Sequence, residues 1–105
     1  VLAGKNNLQN DELTFRVASA GDMWLHLKNR HGAHVVVLTE GRSVPDDVIR
    51  IAAEIAAASE SAGAEVDYTL RRFVKRRPNG HPGQVIYTDF KTVLAKPDAH
   101  PELMK

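Results

Sequence analysis

No cysteine occurs among the 105 residues, which excludes disulfides, thiolate nucleophiles and cysteine-bound zinc. This absence fits a reducing compartment. No apolar run approaches the roughly 18 residues that a membrane-spanning helix needs. No signal-peptide pattern opens the chain either. We therefore expect a cytoplasmic protein without a membrane partner.

Charge of one sign is also scarce, because 14 Lys and Arg oppose 13 Asp and Glu for a net charge of +1. The length suits one domain, and an apolar share of 43% is enough for a folded core. We expect this domain over residues 1–98, followed by a tail at 99–105. Because the chain opens on Val1, we also expect either a longer parent chain or a trimmed protein.

The motifs of common enzymes are missing. Neither a G-x-G-x-x-G fingerprint nor a Walker loop occurs, and no serine lies in a nucleophile-elbow sequence. His26, His31 and His34 with Asp22 offer metal-ligand atoms, but no His-x-x-x-His helix supports a site. A hydrolase or nuclease using Asp22 and His26 is the weakest alternative, since no second carboxylate has a suitable spacing. We expect no enzyme activity, cofactor or metal.

Apolar periodicity predicts the fold class α+β, with a mostly antiparallel sheet packed by one long helix at about residues 45–62. Gly63 is a typical residue after the end of such a helix. A possible short N-terminal helix would be capped by Asn10 or Asp11 and run to about Ala18.

Alternating apolar residues predict the strands. Segments 23–28 and 34–39 favour two strands joined as a hairpin by a short turn. A third, long strand is expected over 65–74. Segments 84–88 and 91–96 flank Asp-Phe and are expected to form a closing hairpin.

Asp22, Trp24 and His26 come at alternate positions, so on a strand they leave one face at steps of about 7 Å. An indole can stack on a nucleobase, which is worth about 1–3 kcal/mol per base. His26 is suited to a phosphate or a 2′-hydroxyl, and Asp22 to a base amino group. The row indicates an RNA-binding face. The alternative is that Trp24 packs beneath the helix and Asp22 is a turn residue.

Residues 71–77, RRFVKRR, carry five positive charges and no negative one. Such a cluster attracts phosphate, although Lys and Arg also protect edge strands from aggregation. Together with this cluster, Lys28 and Arg30 would frame a groove for a phosphate backbone. Segment 5–7 would add donors for phosphate or sugar contacts. The predicted RNA-binding residues are Lys5, Asn6, Asn7, Asp22, Trp24, His26, Lys28, Arg30, Arg71, Arg72, Lys75, Arg76 and Arg77.

Five segments together resemble the NFACT-R domain, the RNA-binding domain of the RqcH, NEMF and fibronectin-binding FbpA proteins. In order they are GKNNLQNDELTFRVA, DMWLHLKNRHGAHVVV, AAEIAAASE, VDYTLRRFVKR and GHPGQVIYTDFKTVLAKP. They span roughly residues 4–97 and include the family's Asp-x-Trp-x-His signature at 22, 24 and 26. One position departs from the family, because His31 stands where its turn usually has proline.

The resemblance implies a module that binds tRNA, large-subunit ribosomal RNA or both, in ribosome-associated quality control of stalled nascent chains. The implied partners are tRNA, the large ribosomal subunit and other domains of a longer parent chain. In that system the ribosome supplies the peptide-bond chemistry, in keeping with the missing enzyme motifs. The alternative is a protein–protein interaction module without direct RNA contact, in which Trp24 is the anchor in a partner's pocket.

Overall fold

The computed structural model describes residues 1–60 and 62–96, so the predicted tail at 99–105 lies outside the described residues. The helices are α1 (Asn7–Glu12), continued by a π-helical turn (Leu13–Val17), then α2 (Asp46–Ala56) and a 3-10 turn (Arg71–Phe73). The strands are β1 (Leu2–Ala3), β2 (Met23–Leu27), β3 (Val35–Val37), β4 (Ala64–Leu70), β5 (Val74–Arg76), β6 (Val85–Tyr87) and β7 (Lys91–Ala95).

One five-stranded sheet, in the order β1-β3-β2-β4-β7, is antiparallel throughout. The strands β5 and β6 form a separate antiparallel ribbon. The predicted α+β class is confirmed, as is the hairpin of β2 and β3, in which Leu25 is paired with Val35.

Alternation along the strands gives the sheet two apolar faces. One face packs on α2, where Leu25 and Leu27 meet Ala52 and Ala53. The other face carries Trp24 and is covered by the π-helical turn and the β5–β6 ribbon. The sheet is therefore the middle layer of three, and both of its faces are buried at β2.

The helix predicted at about 45–62 is wrong in length, because α2 ends at Ala56 after 11 residues. The chain then tightens into turns, with Glu60 N–H bonding to the Ala57 carbonyl and Gly63 N–H to that of Glu60. Gly63 has φ +90°, which suits glycine. Because the chain must return to β4 at Ala64 within a few residues, the helix cannot be longer. The helical spacing of small apolar residues nevertheless continues in the sequence beyond Ala56, which explains the longer prediction.

The N-terminal helix exists, but it begins earlier than predicted. Asn6 is its cap, and the Asn6 side chain accepts a hydrogen bond from Gln9 N–H. Asn10, one of the two predicted caps, instead lies inside α1 and is buried. The helix ends in the π-helical turn, where Ala18 N–H bonds to the Leu13 carbonyl.

The single strand predicted at 65–74 is wrong, because the 3-10 turn divides it and moves the chain from the sheet to the ribbon. The closing hairpin predicted from segments 84–88 and 91–96 is also wrong. Strand β6 pairs with β5, and β7 pairs with β4. Asp89, at φ 56°, redirects the chain between them, and the Thr69 hydroxyl donates to the carbonyls of Thr88 and Asp89.

Candidate nucleic-acid interface

The row of Asp22, Trp24 and His26 leaves one face of the sheet, as its spacing predicts. The prediction that this face is exposed is wrong, because Trp24 is 0% and Asp22 6% exposed. The π-helical turn and the ribbon cover the Trp24 indole. The indole is therefore available neither for stacking on a base nor for entering a partner's pocket.

Asp22 anchors a loop. Its carboxylate accepts hydrogen bonds from Ser19 N–H at 2.7 Å and from Thr39 N–H at 3.0 Å. Burial acts to raise the pKa of the Asp22 carboxyl, but these bonds and one from the Thr39 hydroxyl hold that pKa below its ordinary value. The carboxylate thus ties the start of β2 to the end of β3.

Trp24 begins a chain of buried hydrogen bonds. The indole N–H donates to the Thr14 hydroxyl oxygen at 3.2 Å, and that hydroxyl lies 2.7 Å from His34 Nδ1. His34 Nε2 lies 3.0 Å from the Gly83 carbonyl. Since a carbonyl only accepts, we assign the imidazole proton to Nε2 and let Thr14 donate to Nδ1. We call this chain of hydrogen bonds from Trp24 to Gly83 the relay. With this assignment, each of its polar groups acts consistently as a donor or an acceptor in each bond.

His34 remains neutral at pH 7. Burial lowers the pKa of His34 to about 4, with a smaller effect from neighbouring His26. The His34 backbone N–H donates to Asn10 Oδ1 at 3.1 Å, and Asn10 Nδ2 reaches the Gly32 carbonyl at 3.3 Å. Asn10 and His34 therefore join α1, the β2–β3 turn and the 83–84 loop into one rigid unit.

A cleft of about 370 Å³ opens where β2 ends. His26 and Leu27 lie at the strand side of the cleft. The β2–β3 turn forms one wall, the 77–87 segment forms another, and α1 contributes Asn7 and Asn10. The lining residues are Asn7, Asn10, His26, Leu27, Asn29, Arg30, His31, Gly32, Arg77, Gly83, Gln84, Val85 and Tyr87.

His26 connects the buried row to the cleft. Its imidazole stacks on the Trp24 indole, with ring centres 5.6 Å apart and planes 8° from parallel. It also meets the His34 ring edge-to-face at 5.1 Å. Burial lowers the pKa of the half-buried His26, so the ring is neutral at pH 7. The indole thus fixes the position of a cleft-lining imidazole.

Asp67, on β4, fixes the wall that carries Tyr87. Its carboxylate accepts hydrogen bonds from the Tyr87 hydroxyl and, at 2.7 Å, from the Thr92 hydroxyl. It also pairs with the Lys28 ammonium at 3.0 Å. Burial opposes ionisation of Asp67, but the three bonds hold its pKa below the ordinary value. Lys28, a predicted RNA contact, is thus engaged internally and also lies 4.7 Å from the centre of the Phe90 ring.

Three of the five cations in the basic run have internal partners, and one of them, Arg72, donates through Nε to the Ala20 carbonyl at 3.4 Å. The guanidinium groups of Arg71 and Arg76 lie 4.7 and 4.3 Å from the centre of the Phe15 ring. Arg71 Nε also donates to the Thr14 carbonyl. Arg76 makes two bonds to Asp11, at 3.0 and 3.1 Å, and these lower the pKa of the Asp11 carboxyl. Arg71 thus attaches the 3-10 turn to the π-helical turn, and Arg76 attaches the ribbon to α1.

The other predicted cations are at the surface. Arg77 lines the cleft, and neither Arg77 nor Lys75 has an ion pair with any residue in 1–60 or 62–96. Arg30 also lines the cleft and pairs with Glu60 at 2.6 Å in an exposed position. Lys5 is exposed, but it does not line the cleft.

Of the thirteen predicted residues, four meet at the cleft: Asn7, His26, Arg30 and Arg77. Gln84 and Tyr87 are site residues that the sequence interpretation missed, and His31 enters the site although it was considered only as a metal ligand. The only signal for Gln84 and Tyr87 in the sequence is the family-like segment PGQVIY. That segment does not indicate which strand it will lie beside in the fold. Contact between segments about fifty residues apart depends on the whole fold.

Two features are absent from the described part of the chain. No helix there is long and apolar enough to cross a membrane. Nor do three or more His, Asp or Glu side chains cluster there as a metal site would require.

Comparison with known proteins gives consistent matches. The family described as NFACT protein RNA binding domain matches residues 1–89. Proteins named Rqc2 homolog RqcH are 46% identical over 104 residues in Bacillus subtilis (strain 168) and 42% identical over 101 residues in Streptococcus suis (strain 05ZYH33). These alignments cover 94% and 92% of this chain, but only 18% of each relative.

A solved structure is similar as well. It is the C-terminal part of the fibronectin/fibrinogen-binding protein from Streptococcus suis, with a TM-score of 0.82 and 42% identity. The match covers 91% of this chain and 40% of that one. The chain thus spans less than a fifth of the curated relatives that it matches.

Proposed function

The chain belongs to the family of NFACT RNA-binding domains, and from this premise we propose that it binds tRNA, large-subunit ribosomal RNA or both. The proposed setting is ribosome-associated quality control of stalled nascent chains, in the cytoplasm and within a longer parent protein. The observation that carries the proposal is the cleft, because Arg30 and Arg77 lie on its two walls beside the neutral amides of Asn7 and Gln84.

The chemistry of these groups suits RNA. A guanidinium presents a planar fork of donors that matches a phosphate. The exposed pair of Arg30 with Glu60 is worth about 0–1 kcal/mol, so a phosphate can displace it. Arg77 has no competing carboxylate among the described residues. Amide side chains add contacts to sugars or base edges.

We propose binding without catalysis. Asp22, the carboxylate of the hydrolase alternative, is buried and already accepts bonds from Ser19 and Thr39. It therefore has no path to a bound RNA. End-labelled tRNA incubated with the domain and Mg²⁺ should be recovered at full length, and domain-dependent cleavage would overturn this point.

The test of RNA binding is a titration of fluorescently labelled tRNA followed by anisotropy. Arg77→Ala should weaken binding and reduce the slope of log affinity against log salt by about 1, the effect of one lost phosphate contact. Arg50→Ala is the matched control, since it removes the same charge from exposed Arg50 on α2, on the opposite face of the sheet. Equal losses of affinity in both variants, or an affinity that does not change with salt concentration, would count against RNA binding at the cleft.

A protein contact is the second candidate, and a different surface favours it. Leu8 is 71% and Val17 48% exposed, beside a groove of about 360 Å³ that Leu2 also lines. Adjacent exposed apolar side chains mark protein contacts. If this surface carries the function, Leu8→Asn with Val17→Thr should abolish association with ribosomal particles while tRNA affinity stays unchanged.

A further inference from the structure

We infer that the cleft accepts a single unpaired nucleotide, and that Gln84 and Asn7 contact the edge of its base. This inference rests on the proposed RNA-binding function and makes it more specific. The ligand class is single-stranded RNA with an unstacked base, as opposed to the backbone of a continuous duplex.

The shape of the site supports an unpaired ligand. Its volume of about 370 Å³ lies in the range typical of small-molecule sites. Walls from the β2–β3 turn and the 77–87 segment enclose it on two sides. The base edges of an A-form duplex lie within its grooves, and proteins recognise such a duplex mainly by its outer shape. A base that has left its stack can enter a cleft with walls.

Gln84 presents oriented donors in this cleft. Its Oε1 atom accepts a hydrogen bond from His81 N–H at 2.9 Å, which fixes the amide plane. The two N–H donors on Nε2 have no partner within residues 1–60 and 62–96. Such donors suit a ring nitrogen or exocyclic oxygen on a base. The Asn7 amide lines the same cleft without a side-chain partner among those residues.

Two rings with fixed positions lie beside these amides. Tyr87 is held by its hydroxyl on Asp67, and His26 by its stack on Trp24. Both line the cleft, and rings with little freedom to move suit contact with a base, whichever base it is. The cations Arg30 and Arg77 come from different walls and can meet the phosphates on either side of one nucleotide.

The test compares an RNA oligonucleotide as a single strand and as a duplex with its complement, by anisotropy at one salt concentration. Wild type should prefer the single strand. Gln84→Ala should lower single-strand affinity about tenfold, the usual effect of losing a base-edge contact, and leave duplex affinity unchanged. Gln9→Ala is the matched control, because it removes the same amide from an exposed helical position outside the cleft. Both variants should be titrated against the four RNA homopolymers. Only Gln84→Ala should lose the order of affinities that wild type shows among them.

The outcomes separate the two proposals. Equal binding of single strand and duplex, or a Gln84→Ala variant that behaves like Gln9→Ala, overturns the unpaired-nucleotide inference and leaves RNA binding standing. Failure of every RNA to bind overturns the proposed function as well. If Gln84→Ala has an altered Trp24 emission spectrum and so has not folded, Asn7→Ala replaces it with the same expected loss.

Discussion

The buried relay from Trp24 to Gly83 makes a quantitative prediction for Thr14→Val. Valine keeps the shape of threonine and removes the hydroxyl that serves both Trp24 Nε1 and His34 Nδ1. Both rings are buried, at 0% and 1% exposure. A buried polar group without a partner costs about 1–3 kcal/mol, so two of them should lower the free energy of unfolding by about 2–6 kcal/mol.

Urea denaturation followed by tryptophan fluorescence measures this loss, since Trp24 is the only tryptophan. For a slope of about 1.5 kcal/mol/M, a loss of about 3 kcal/mol moves the midpoint down by about 2 M. Thr88→Val is the matched control. It deletes an exposed hydroxyl that donates only to neighbouring Asp89, and should change stability by less than about 0.5 kcal/mol.

A midpoint for Thr14→Val within experimental error of that for Thr88→Val would refute the relay. It would mean that the indole and imidazole have other partners or reach water. A large loss accompanied by a changed slope would instead indicate an altered denatured state, and the comparison would then be repeated at pH 7 by hydrogen exchange of the indole N–H.

Three further predictions follow from the contacts around the cleft. His34 has a pKa of about 4 when folded against 6.5 ordinarily, so the unfolded chain binds more protons than the folded protein between these pH values. Stability should therefore fall by about 3 kcal/mol as pH drops from 6.5 to 4. His34→Gln should flatten that part of a plot of urea midpoint against pH. Asp67→Asn should cost about 2–3 kcal/mol in urea melts, because Lys28 loses its carboxylate; a change below about 0.5 kcal/mol would contradict this. Gly83→Ala should cost about 1–3 kcal/mol, because φ is +85° and the added carbon would lie 3.0 Å from the Asn7 carbonyl oxygen; a thermal midpoint equal to wild type would contradict it.

Local patterns predicted the parts of the fold that depend on local geometry. The alternation of Met23 to Lys28 placed Trp24 and His26 on one face because a strand has period two wherever it occurs. What covers that face is decided elsewhere. The 3-10 turn at Arg71–Phe73 carries the chain to the other side of the sheet, and a continuous strand pattern contains no sign of it.

The candidate site was predicted in part for the same reason. Cations and a polar row were visible, but their partners lie far along the chain. Arg76 is paired with Asp11, 65 positions away, and Trp24 found a buried acceptor in Thr14. Because of these contacts, side chains that a sequence pattern predicts to bind RNA are engaged inside the fold. Gln84 gave no such pattern, because a single amide in a loop has no periodicity.

One titration tests most directly whether RNA binds at the cleft while Asp22 and Trp24 stay buried. Single-stranded RNA is added to ¹⁵N-labelled protein, and the side-chain N–H signals of Trp24 and Gln84 are followed. We expect the Gln84 amide signals to move with RNA concentration while the indole signal, sealed beneath the ribbon, stays within the linewidth. An indole signal that moves as far as that of Gln84, or a Gln84 signal that does not move at saturation, would contradict this arrangement.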